Sequence, residues 1–120
     1  MSKKTLVIGA SLKENRYSNI AIKRLVEYNH EVVAFGLREG QVAEVDIDTD
    51  LIPYRDIDTV TLYLNSQRQK EYYDYIIGLN PKRVIFNPGT ESPEFQNLLR
   101  AKQIYFEEAC TLVLLSTDQY

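Results

Sequence analysis

Cysteine is almost missing from these 120 residues: Cys110 stands alone, which excludes an internal disulfide and a cysteine-based zinc site built from it. Histidine is also single, at position 30. No apolar run reaches the 18 or so residues that a spanning helix needs. Met1-Ser2-Lys3-Lys4 leads into too short an apolar stretch for a signal-peptide core. A basic excess is missing too: 17 acidic against 14 basic residues leave a net charge of −3, which argues against non-specific nucleic-acid binding. The expectation is a reduced, cytoplasmic protein that engages neither membrane nor nucleic acid. A small anionic ligand stays open, because one loop can be positive on an acidic chain.

With 44% hydrophobic and 26% charged residues the composition is that of an ordinary globular chain, and its length suits one domain over residues 1–120. Short β-rich runs alternate with longer helical ones. Thr5–Gly9 is apolar without alternation, as a strand buried on both faces is. A helix is predicted from about Asn19 to Tyr28, with Ser18 as its N-cap and Ala21, Ile22, Leu25 and Val26 on one face. Glu31–Phe35 reads as the second strand. Residues 37–58 read as an irregular, charged connection with one short strand near Val42–Val45. Thr59–Leu64 is the next strand, and Ser66-Gln67-Arg68-Gln69 reads as a capping box opening a helix. That helix carries Tyr72, Tyr73, Ile76 and Ile77 inward and stops before Pro81. Arg83–Asn87 forms a further strand, and Ser92-Pro93 opens a helix with core residues Phe95, Leu98 and Leu99. Ile104–Glu107 is the last strand, followed by an apolar segment over 109–115.

Strands separated by helices imply right-handed βαβ units, hence an α/β fold with a mostly parallel central sheet. Ligands of such sheets bind at the carboxyl ends of the strands. Four loops therefore matter. Gly9-Ala10-Ser11 follows strand one; it lacks the glycine-rich dinucleotide fingerprint, yet one glycine and two small residues admit a ligand to the main chain. The helix that follows aims free N–H groups at the same place, and Arg16 adds a cation, a combination suited to phosphate. After strand two, Gly36-Leu37-Arg38 lacks the acidic residue of an NAD site, and Arg38 suits a phosphorylated ribose as in NADP or coenzyme A. Asn65 ends the next strand. Pro88-Gly89 is a turn that permits close approach to the backbone.

The Val7–Ser11 strand-turn, the following Arg16-Tyr17-Ser18, the spacing to Asn87-Pro88-Gly89 and the ending Glu108-Ala109-Cys110 resemble the stand-alone bacterial CoA-binding domain proteins. These are similar to the N-terminal CoA-binding domain of the succinyl-CoA synthetase alpha subunit. The resemblance implies a Rossmann-like three-layer sandwich that binds coenzyme A, or an acyl-CoA, without a recognised catalytic residue. It implies that Gly9, Ala10, Ser11, Arg16 and Ser18 line the phosphate region, Arg38 the adenosine end, and Asn65 with Pro88 and Gly89 the pantetheine arm. The chain departs from the family pattern in its second loop, where many members carry a turn with proline and asparagine.

Other chemistry-bearing residues read as structural. His30 falls at the amino end of the sheet, away from the predicted ligand side. Cys110 follows the last strand and reads as a small buried hydrophobe. Asp46, Asp48 and Asp50 lack the glycine and terminal glutamate of a calcium hand. Glu91, Glu107 and Glu108 have no partner at a spacing that fixes an acid–base pair. Two other functions stay open at this point: an NADP-dependent oxidoreductase, and an interaction protein without a ligand. Tyr72, Tyr73 and Tyr75 cannot share one helix face, so one is expected to be exposed and available to a homodimer.

Overall fold

The computed structural model describes residues 2–120. β1 (Thr5–Ala10) lies at the centre of a seven-stranded sheet ordered β3-β4-β2-β1-β5-β6-β7. Here β2 is Val32–Gly36, β3 Gly40–Val42, β4 Val45–Asp48, β5 Thr59–Leu62, β6 Arg83–Phe86 and β7 Tyr105–Glu108. Every pairing is parallel except β3 with β4. β1, β5 and β6 are buried along almost their whole length. β1 and β6 accordingly read as largely apolar runs, whereas β5 (Thr59-Val60-Thr61-Leu62) buries two threonines whose hydroxyls are hydrogen-bonded to Asp58 and Thr111.

Helices cover both faces. α1 (Tyr17–Glu27) and α5 (Thr111–Ser116) bring Ile22, Leu25 and Leu115 against Val7 and Ala34. On the other face lie α2 (Ser66–Gln69), a 3₁₀ turn over Lys70–Tyr72, α3 (Tyr73–Leu79) and α4 (Pro93–Ala101). They pack Tyr72, Tyr73, Ile76, Phe95 and Leu99 on Leu6, Ile8, Val60 and Phe86. The result is a Rossmann-like three-layer sandwich. The chain runs from central β1 to β2 on one side, then crosses to β5 on the other, so the connection reverses direction at the carboxyl end of β1.

Several local expectations are corrected. The N-cap of α1 is Arg16, not Ser18, which is buried inside the first turn. The cap of α2 is Asn65, whose side chain accepts from the Arg68 amide at 2.9 Å, so Ser66 is already helical. Leu98 is 40% exposed, because Phe95 and Leu99, four residues apart, take the core face with Gln96. Residues 37–58 hold a hairpin of two strands rather than one strand. Its turn residues Ala43 and Glu44 have φ of 50° and 68°, the double positive φ of a type I′ turn. None of the three clustered tyrosines is fully exposed: Tyr72 and Tyr73 are buried, and Tyr75 is half-buried with its hydroxyl donating to the Ile52 carbonyl. The connection after β4 covers it, held also by Tyr54, whose hydroxyl donates to the Asp48 carboxylate.

At the amino end of the sheet, His30 Nδ1 accepts from the Lys3 amide at 3.0 Å and its ring lies 4.9 Å from Tyr120. Burial, with Lys3 and Arg83 nearby, lowers the His30 pKa from its ordinary 6.5, and Asp58 opposes only weakly. A lowered folded-state pKa means that the unfolded chain binds more protons. This contribution to stability is therefore complete above about pH 6.5 and is lost as pH falls through the folded value. Unfolding midpoints should drop as pH falls below about 6.5, and His30→Phe, which keeps the ring contact and cannot titrate, should flatten that part of the profile. An unchanged slope in the variant would assign the loss to other groups.

Candidate functional site

Four segments meet where the strands end: β1 to α1, β2 to β3, β5 to α2 and β6 to α4. They enclose a cleft of about 700 Å³. Gly9, Ala10, Ser11, Arg16, Ser18, Arg38, Asn65, Pro88 and Gly89 all line it. The topology thus brings all nine positions singled out in the sequence to one place.

Gly9 sits at a break in the β1–β2 register, where Ile8 pairs with Phe35 and Ala10 with Gly36. Its φ is +93°, and an added Cβ would lie 3.0 Å from the carbonyl carbon and oxygen of Tyr63. The residue is fixed both by conformation and by the close approach of the β5 loop. Gly36 is fixed by approach alone, since a Cβ there would meet the Ala10 oxygen at 2.4 Å. These two contacts hold the floor of the cleft tight.

The Ser11 hydroxyl accepts from the Lys13 amide at 3.1 Å, and its carbonyl accepts from Asn19 Nδ2 at 2.9 Å. Two internal hydrogen bonds thus shape the loop. α1 begins directly above it without a capping side chain. Among the described residues no acceptor pairs with the Tyr17 and Ser18 amides, so they are free to meet an anion. Asn65 lines the cleft, but its side-chain oxygen is committed to capping α2.

Several lining residues were not singled out from the sequence. Lys13 and Arg68 add two cations to Arg16 and Arg38, and no carboxylate lines the cleft. The four ion pairs among the described residues use none of these cations. Lys13 was visible in the sequence beside Arg16, whereas Arg68 was concealed within the apparent capping box. Phe35, Tyr63, Leu64 and Tyr72 supply apolar surface. Burial pushes the Tyr63 hydroxyl far above its ordinary pKa; the nearby Thr111 and Thr61 hydroxyls oppose the shift without reaching hydrogen-bond geometry. Tyr63 is therefore a neutral phenol at any physiological pH.

Residues 3–116 match the family model described as CoA binding domain. The chain belongs to that family. An uncharacterised protein of known crystal structure is 42% identical, with 100% of this chain and 99% of that one covered at a TM-score of 0.97. A hypothetical protein from Pyrococcus horikoshii OT3 is 24% identical, covering 97% and 83% at a TM-score of 0.87. A protein from Thermus thermophilus is 16% identical, covering 99% and 91% at 0.86. The last two share the fold. No curated protein matches the chain. CoA-related binding is thus the functional class of this CoA-binding domain.

The remaining chemistry-bearing residues of the CoA-binding domain lie elsewhere. His30 is at the opposite end of the sheet. Cys110 is half-buried at the start of α5 and does not line the cleft. Asp46, Asp48 and Asp50 border a separate depression of about 380 Å³. Among the described residues no group of three or more histidine, cysteine, aspartate or glutamate side chains is placed to hold a metal ion.

Proposed function

We propose that the chain binds coenzyme A, or an acyl-CoA, with the diphosphate on the β1–α1 loop. The observation that carries this reading is the charge of the cleft. Lys13, Arg16, Arg38 and Arg68 line it without a carboxylate, on a chain whose net charge is −3. Such a concentration of unpaired cations suits a ligand with several phosphate charges. Gly9, Ala10 and Ser11 let the diphosphate approach the main chain, Arg16 and the free amides at Tyr17 and Ser18 contact it, and Arg38 takes the phosphorylated ribose. Asn65, Pro88 and Gly89 flank the pantetheine arm. The whole chain acts as one binding domain and converts nothing by itself in this reading. NADP would use Arg38 in the same way, but the CoA-binding domain family favours coenzyme A.

Thermal unfolding with CoA, dephospho-CoA, NADP and NAD at equal concentrations tests the proposal. A ligand at a hundred times its Kd stabilises the native state by about 2.7 kcal/mol. The largest rise is expected with CoA, and a smaller one with dephospho-CoA. A rise with NADP and none with CoA would overturn the reading; no rise with any would favour an interaction protein. Arg16→Ala should weaken CoA binding roughly tenfold, as loss of one charge-assisted phosphate contact does.

A further inference from the structure

Gln69 is fully buried, yet it is polar and belongs to a short surface helix. Its Nε2 donates to the Leu64 carbonyl at 2.8 Å and to the Thr90 carbonyl at 2.6 Å. Both partners can only accept, so the orientation of the carboxamide is fixed by the network. Leu64 and Thr90 both line the cleft, one on the β5–α2 segment and the other on the β6–α4 loop. Regular pairing between β5 and β6 ends at Leu62 and Phe86. Beyond it, Gln69 reaches from one wall of the cleft to the other. Its Oε1 has no donor among the described residues. The polar contacts of the side chain are thus its two donated bonds, and they tie the walls together further out than the point where Asn87 joins β6 to β5.

We infer that Gln69 is a positioning residue for the part of the ligand that lies between these walls. This rests on the coenzyme A reading above. β5 and β6 lie on the side of β1 opposite β2 and Arg38. On these two walls Leu64, Asn65, Pro88, Gly89 and Thr90 carry no charge and Arg68 is the one cation, whereas Lys13, Arg16 and Arg38 belong to the β1–α1 and β2–β3 segments. This side therefore suits the uncharged pantetheine arm better than the phosphates. Gln69 does not touch the ligand; it holds two main-chain segments at a fixed separation, and an error there acts on one half of the molecule only.

The test compares CoA with 3′,5′-ADP, which has the nucleotide end and lacks the pantetheine arm. Calorimetric titration of folded Gln69→Met, well below its unfolding midpoint, should show CoA binding weakened about tenfold and 3′,5′-ADP binding within about twofold of the parent. Equal losses for both ligands, or no loss for CoA, would overturn the inference. If the variant does not fold, the parent protein serves: the side-chain NH₂ resonances of Gln69 should be protected from exchange and should move with CoA but not with 3′,5′-ADP. Resonances that ignore CoA would also overturn it. A parent that binds CoA normally with an unmoved selectivity in the variant would leave the coenzyme A reading standing. A parent that binds no CoA would remove both.

Discussion

Asn87→Ala is expected to lower the free energy of unfolding by about 3 kcal/mol, near the upper end of what one buried polar side chain contributes. Asn87 is 2% exposed, and every polar group it carries is used. Its Nδ2 donates to Thr61 Oγ1 at 2.6 Å and to the Leu62 carbonyl at 2.9 Å, while its Oδ1 accepts from the Thr111 amide at 2.9 Å. One side chain thus joins β5, β6 and the start of α5. Truncation strands three buried partners rather than one, and a stranded group costs more than its hydrogen bond contributes net. The Thr61–Thr111 hydroxyl contact at 2.8 Å survives, so the loss stays short of the sum of three. Urea unfolding should show a lower midpoint with an unchanged slope. A loss below about 1 kcal/mol would mean that the neighbours repack around the gap.

Gly9→Ala should cost a comparable amount, about 3 kcal/mol, from two sources. A left-handed φ costs an L-residue about 1–2 kcal/mol, and overpacking adds about 1–3 more. The two can be separated within this protein. Gly89 has almost the same φ, +89°, but a Cβ there meets nothing within 4 Å. Gly89→Ala should therefore lose only the conformational part, about 1–2 kcal/mol. The difference between the variants measures the contact with the Tyr63 carbonyl. Gly9→Ala should also weaken CoA binding, because relief of the contact displaces the β5 loop from the cleft floor. Equal losses at the two glycines would show that the β5 loop yields freely.

The parts of the fold that were legible in the sequence are those where a single physical demand decides the residue type. β1 and β6 are buried on both faces, so Leu6–Ile8 and Val84–Phe86 had to be apolar without a break. Ser92-Pro93 opened α4 as expected, with the Ser92 hydroxyl accepting from the Phe95 amide. The parallel order then followed from alternation, and the carboxyl-end rule chose the four loops without any further signal. Where two residues could serve one role, the sequence was ambiguous. Asn65 and Ser66 are both competent caps by type; Asn65 has the extended backbone of a cap, with ψ of 168°, and Ser66 is already helical. Ser18 is a good cap by type, but α1 starts earlier, at Tyr17, and buries it. The β3–β4 turn uses Ala43 and Glu44, residues without the Asn-Gly signature, so tertiary pairing with β2 imposes it. Gln69 was hidden because a capping box already accounted for it, and Arg68 because it stood inside that motif.

The uneven placement of charge has a kinetic side. A molecule of net charge −3 repels an anion at long range, yet its four unpaired cations face one opening between low-dielectric walls. At separations inside the screening length, about 8 Å at physiological ionic strength, the four cations of the opening outweigh the carboxylate beside it, Glu91, which accepts from the Gly89 amide. A polyanion therefore meets a weak barrier far away and a funnel close in. Salt erodes both, so encounter depends on ionic strength less steeply than four cations alone would dictate, and the acidic surface screens out anions that arrive anywhere else.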